Sequence, residues 1–165
     1  MATNGKPIIG RAEEIDILDL GLSGVPAKVD TGADSSSIWV SSVIEKGDEL
    51  HCVFFGPDSP FYTGETVVIS KGFRRIWIAN SFGEKELRHR VKLRIRVKGR
   101  LIRATFTLSD RSKKPYPVLL GRRMLQGKFL VNVAHHGLTV EQVKAERIKR
   151  DLYRAKHHKE VKWIL

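Results

Sequence analysis

The 165-residue chain has a single cysteine, Cys52, so no internal disulfide can staple it and no cysteine-rich zinc site can form. It contains no apolar run near the ~18 residues that a membrane-spanning helix needs. Residues 1–10 lack the long apolar core of a secretory signal, so a cytoplasmic, reducing compartment and no membrane are expected. Acidic residues are scarce: 18 Asp and Glu face 30 Lys and Arg, a net charge of +12. An excess of that size predicts an acidic partner, either RNA or an acidic substrate. Internal repeats and low-complexity tracts are also missing. Length and a 41% apolar share fit one folded domain with a short appendage.

What is present is a series of short β-type segments. Strands are expected over residues 7–17, 26–30, 36–45, 50–55, 66–71, 74–79, 86–98, 101–108 and 116–120, bounded by Gly, Pro, Asn and Asp. Many short strands at close spacing predict an all-β barrel or sandwich. Two segments break the pattern. Residues 122–126, after Gly121, fit one helical turn. Residues 139–159 fit a longer helix: Thr139 and Gln142 have capping-box spacing, and Val140, Val143, Ile148, Leu152 and Ala155 give a loose apolar stripe. The expected division is a domain over 1–138 and a basic helical extension over 139–165.

The clearest periodicity runs from Arg88 to Arg100. Arg88, Arg90, Lys92, Arg94, Arg96, Lys98 and Arg100 share one parity, and Val91, Leu93, Ile95 and Val97 the other. On a strand, alternate residues face opposite sides, so one side is apolar and the other wholly basic. Two readings of the basic face stand: a solvated surface, or a docking face for a polyanion that relieves the mutual repulsion. No aromatic residue interleaves on it, so no base-stacking platform is indicated.

The segment Ala27-Lys-Val-Asp30-Thr31-Gly32-Ala33-Asp34-Ser35-Ser36 carries the chemistry. A strand ending at Asp30, a turn allowed by Gly32 and a new strand from Ser36 would project a carboxylate from a rigid strand end. The plainer reading is a β-turn in which Asp30 only caps backbone amides. About ninety residues on, Val118-Leu119-Leu120-Gly121-Arg122-Arg123 is an apolar strand, a glycine and a short helical segment.

These two motifs resemble those of the retropepsin-like aspartic proteases. Val29 to Asp34 looks like their catalytic loop, and Leu119-Leu120-Gly121-Arg122 like the signature that closes their fold. The hairpin around Ser81-Phe82-Gly83 falls where those enzymes carry a flap. The chain is similar in particular to a prokaryotic family labelled "ATP-dependent zinc protease", often linked with a ligase that adds glutamates to a ribosomal protein. Ile9-Gly10-Arg11, Lys28 to Ala33, Ser81 to Glu84, Thr107 to Ser112 and Leu119 to Arg123 carry that likeness, over roughly residues 8 to 133.

The resemblance implies an all-β, closed acid-protease barrel with one short helix after Gly121. It implies Asp30 as the catalytic residue, with Thr31, Gly32 and Ala33 supporting its loop. Asp34, Ser81, Phe82, Gly83, Arg90 and Arg94 are the expected substrate-binding residues. The chain has one Asp-Thr-Gly, since Asp110-Arg111-Ser112 is not a second copy, so the second carboxylate must come from a homodimer partner. Ala33 offers no hydroxyl to the carboxylate, so work at weakly acidic to neutral pH is expected. No His-Glu-x-x-His run and no phosphate-binding Gly-Lys-Ser/Thr loop occurs, so neither a metal site nor a cofactor is expected. Three readings follow: a homodimeric aspartic endopeptidase, acting on acidic, glutamate-rich protein; a non-catalytic RNA- or ribosome-binding module on the same fold; and a zinc peptidase, as the label says.

Overall fold

Alternation along strand β8 (Lys85–Val97) organises the molecule: Val91, Leu93, Ile95 and Val97 are buried, while Lys92, Arg94 and Arg96 are exposed. The computed structural model describes residues 5–79, 83–135, 137 and 138, and the positions 142, 145, 148 and 152. In chain order the other elements are β1 (Ile8–Ile9), β2 (Ala12–Ile17), a 3-10 turn (Leu18–Leu20), β3 (Leu22–Asp30), β4 (Ser36–Lys46), β5 (Glu49–Phe54), β6 (Thr66–Ile69), β7 (Arg74–Ala79), β9 (Arg100–Ser109), β10 (Val118–Gly121), α1 (Arg122–Leu125) and β11 (Leu130–Val131).

Nine strands form one sheet in the order β10-β3-β2-β8-β9-β4-β5-β6, with β7 along β8. The sheet curls until β10 meets β4, pairing Val118 with Ile38 and Leu119 with Ser37. That ladder is only two pairs long, supplemented by the Trp39 amide donating to the Pro117 carbonyl (2.9 Å), and β5, β6 and β7 lie off the ring. The fold is all-β and retropepsin-like, as expected, but the barrel is not strictly closed. Its interior is filled by Ile15, Val25, Ile38, Ile95, Phe106 and Leu120, all essentially inaccessible to water. Each such side chain contributes about 1.5–3 kcal/mol by leaving water. Trp39 and Phe55 meet edge-to-face at 6.4 Å at one end.

Two expected boundaries shift for identifiable reasons. The strand expected over 7–17 is two: the Gly10 amide donates to Glu13 Oε1 (2.8 Å) and the Arg11 amide to the His135 carbonyl (3.2 Å), so the ladder breaks there. That leaves β1 in a separate parallel pair with β11, a strand too short to show in the pattern. Strand β3 begins at Leu22, with Pro26 inside it opposite Glu14. On its other side β10 pairs only from Ala27 onward, so the missing N–H of Pro26 breaks no bond there. In the helix expected over 139–159, positions 142, 145, 148 and 152 are helical and exposed; the rest lies outside the described residues. No helix among the described residues is long and apolar enough to cross a membrane.

Candidate active site

Asp30 is the last residue of β3, fixed on both sides. Strand β10 runs parallel to β3 with Gly121 opposite Asp30, and β2 flanks the other edge. The Asp30 Oδ1 accepts hydrogen bonds from the amides of Gly32 (3.2 Å) and Ala33 (3.1 Å), which turns the loop around its own carboxylate. Its other oxygen lies 3.7 Å from Lys28 Nζ, and the side chain remains 29% exposed, so one face of the carboxylate is open.

The loop is clamped from below by the segment that follows β10. The Arg122 amide donates to the Ala33 carbonyl (2.7 Å) and the Arg123 amide to the Asp34 carbonyl (3.2 Å). The Asp34 carboxylate pairs with the Arg122 guanidinium, with Arg123 Nη2 3.7 Å away. Asp34 is thus engaged within its own chain. The Gly121 amide donates to Ser36 Oγ (3.0 Å), and Thr107 Oγ1 donates to the Ser36 carbonyl (3.1 Å). Leu120 is buried and Leu119 half-buried, so the apolar pair anchors β10 while Gly121 and Arg122 hold the loop.

Gly32 departs from expectation. Its backbone is not left-handed, and a Cβ there would make only ordinary contact with Asp30 Oδ1 at 3.5 Å. Among the described residues no close contact demands glycine at this position. Thr31 is exposed beside it.

Strands β7 and β8 form the expected hairpin, pairing Trp77 with Leu87 and Ala79 with Lys85. Trp77 is 67% exposed and Leu87 44%, an apolar cross-strand pair near the tip. Gly83 is exposed at the turn, with a left-handed backbone; Ser81 and Phe82 lie outside the described residues.

The basic face of β8 divides in two. Its far half is neutralised by carboxylates from the 3-10 turn and β2: Arg94 pairs with Asp19 (2.6 Å), Arg96 with Asp16 (3.5 Å) and Lys98 with Glu13 (3.0 Å). On β8 itself Glu86 pairs with Arg88 (2.6 Å), but from Arg88 to Val97 no acid interleaves; the compensation for Arg94 and Arg96 comes from the neighbouring strand and the 3-10 turn, which linear inspection misses. Arg90 and Lys92 instead line a cavity of about 410 Å³ that also touches Ser35 and Ser36, at the end of the Asp30 loop. The structure therefore places Arg90 beside the loop and Arg94 away from it.

Arg111 escaped the sequence reading. It lies on the segment after β9, with Nε donating to the Tyr116 carbonyl (3.1 Å). Burial depresses its pKa, as does the neighbouring Arg88 charge, while the Asp30 carboxylate acts in the opposite direction. Arg111 thus lies within electrostatic reach of Asp30. Among the described residues, no three His, Cys, Asp or Glu side chains converge as metal ligands.

A carboxylate at a strand end, cradled by amides and locked by an apolar-apolar-Gly-Arg strand, is the arrangement that the resemblance to the retropepsin-like proteases leads one to expect. A family model described as RimB-like, "Retropepsin-like aspartic endopeptidase RimB", matches residues 8–142, and the chain belongs to that family. It is 30% identical over 141 residues to a probable alpha-L-glutamate ligase of Shewanella pealeana, covering 79% of this chain and 29% of that protein. A probable alpha-L-glutamate ligase of Parasynechococcus marenigrum is 28% identical over 131 residues, covering 77% and 28%. The chain therefore spans less than a third of the length of these relatives. A crystal structure of a Legionella pneumophila protein of unknown function shares the fold, with a TM-score of 0.57 and 24% identity over 81% of this chain and 98% of that one.

Proposed function

We propose that the chain is an aspartic endopeptidase that works as a homodimer, with Asp30 of each copy meeting across a two-fold axis. The observation that carries this reading is the Asp30 carboxylate, held by the Gly32 and Ala33 amides with one face open. Two such groups at contact distance share one proton. The ionised one takes a proton from the attacking water, and the protonated one donates to the scissile carbonyl oxygen. Each chain supplies one Asp-Thr-Gly, so the monomer holds half the machinery. The exposed Thr31–Gly32 turn is where the second loop would approach, with Thr31 of each copy beside the axis. The β7–β8 hairpins, bearing Trp77 and Gly83, would fold over the substrate and exclude water.

Acidic, glutamate-bearing protein chains are the proposed substrates. Two observations support this: relatives containing a similar segment are named probable glutamate ligases, and the Asp30 loop borders a basic cavity. Asp30→Asn keeps an oxygen for both loop amides but cannot activate water. It should abolish cleavage of a glutamate-rich peptide while leaving the melting temperature within about 3 °C and the sedimentation of the dimer unchanged. Undiminished cleavage by Asp30→Asn, lost on adding a chelator, would favour the zinc reading instead. An active species that sediments as a monomer would refute the dimer.

A further inference from the structure

The cavity beside the Asp30 loop has a volume of about 410 Å³, within the range of ligand pockets rather than surface dimples. Six basic residues line it: Arg74 from β7, Arg90 and Lys92 from β8, Arg103 from β9, and Arg123 and Lys128 from α1 and beyond. No carboxylate lines it. Among the described residues no ion pair joins Arg74, Arg90, Lys92 or Lys128 to an acid, whereas Arg94, Arg96 and Lys98 further along β8 are all paired. Unrelieved positive charge is therefore concentrated where the walls are concave, and a concave, low-dielectric wall focuses the field on whatever enters.

We propose that this cavity is an anion subsite that holds carboxylate side chains of an acidic peptide at positions remote from the bond being cut. The inference rests on the peptidase reading for its place along the substrate, though not for the binding itself. Position favours a peptide. Ser35 and Ser36 continue directly from the Asp30–Asp34 loop, and Gly72 and Arg74 lead into the β7–β8 hairpin, so the cavity borders both the loop and the root of the hairpin. Composition disfavours nucleic acid, because no Phe, Tyr or Trp lines the cavity to stack a base. Arginine forks and lysine heads suit carboxylates through charge-assisted hydrogen bonds, and Ser35 and Thr105 add hydroxyl donors. The subsite would bind by charge rather than shape and so accept any closely spaced acids. Occupancy would tighten substrate binding without touching the chemical step.

The test uses the full chain carrying Asp30→Asn, which binds without turnover, and measures association with hexaglutamate and hexaglutamine by titration calorimetry. Hexaglutamate should bind, more weakly as salt rises, and hexaglutamine should not. Adding Arg90→Gln with Lys92→Gln should weaken hexaglutamate about tenfold or more. Lys6→Gln with Lys46→Gln removes the same charge elsewhere and should change it less than twofold. In protein with Asp30 intact, the Arg90/Lys92 pair should raise KM for an acidic peptide and leave kcat within twofold. Binding by the Asp30→Asn chain alongside no cleavage by the native chain would sustain the subsite and refute the peptidase. Equal losses in both charge pairs would overturn the subsite in favour of net charge. An RNA oligonucleotide that outcompetes hexaglutamate and is released by the same Arg90/Lys92 change would overturn the peptide assignment.

Discussion

Gly121 passes so close to Ser35 that a Cβ on it would lie 2.5 Å from the Ser35 carbonyl carbon and 2.6 Å from its oxygen. Backbone on backbone leaves nothing to rotate away, so the contact fixes the height of the Asp30 loop above β10. Gly121→Ala should destabilise the fold by about 3 kcal/mol, through overpacking without relief. For a domain of this size that is roughly a 10 °C drop in melting temperature by calorimetry. Replacing Gly47 by Ala, where a Cβ meets open space and only the left-handed backbone resists, should lower it by less than half as much.

Arg122 and Asp34 tie the loop to α1 by side chains, alongside the two amide bonds from the same turn. Both side chains are more than half exposed, so Asp34→Ala should lower global stability by less than about 1 kcal/mol. Its effect should appear locally, as faster hydrogen exchange at the Gly32 and Ala33 amides that cradle Asp30. It should also appear as a roughly tenfold lower kcat on an acidic peptide, because the carboxylate is less sharply aimed. An unchanged exchange rate would show that the amide bonds suffice.

Much of this architecture was legible in the residues. The parity of Val91, Leu93, Ile95 and Val97 gives the buried face of β8, and Val29-Asp30-Thr31-Gly32 with Leu119-Leu120-Gly121 marks the loop and the strand that locks it. What stayed hidden is what depends on partners distant in sequence. Asp19 and Asp16 neutralise Arg94 and Arg96 only because β2 pairs with β8. Arg74, Arg103 and Lys128 join Arg90 and Lys92 only because β7, β9 and the segment after α1 converge. No spacing rule carries that information. The turn at Gly32 is present, with its amide donating to Asp30, but its backbone is not left-handed, so the turn does not depend on the freedom peculiar to glycine.

Cys52 lies on β5 between Val43 and Val67, wholly inaccessible to water. Burial pushes its thiol up to about 11 from an ordinary 9.0. At pH 8 the reactive thiolate is therefore about a hundredfold rarer than in an exposed cysteine, before any steric protection is counted. The folded chain should resist a thiol-reactive disulfide reagent for hours and release one equivalent of chromophore once denatured. Prompt stoichiometric reaction of the native protein would mean that β5 opens readily.

Asp19 and Arg94 should make stability depend on pH in one direction. Burial opposes ionisation of Asp19, but the Arg94 side-chain bond, the bond from its amide and the charges of Arg94 and Arg103 together outweigh it. Its pKa therefore sits below the ordinary 3.8. A carboxyl whose folded pKa is depressed stabilises the fold fully above its unfolded pKa, and that contribution fades as pH falls through the folded one. Arg94 is 61% exposed, so solvent screening keeps the contribution to about 1 kcal/mol or less. Asp19→Asn retains an acceptor for the Arg94 amide while removing the charge. It should lower the urea midpoint at pH 7, by an amount that is constant down to about pH 5 and shrinks as the native carboxyl protonates below pH 3.8. A deficit that persists undiminished at pH 2 would assign the loss to packing of the 3-10 turn rather than to the ion pair.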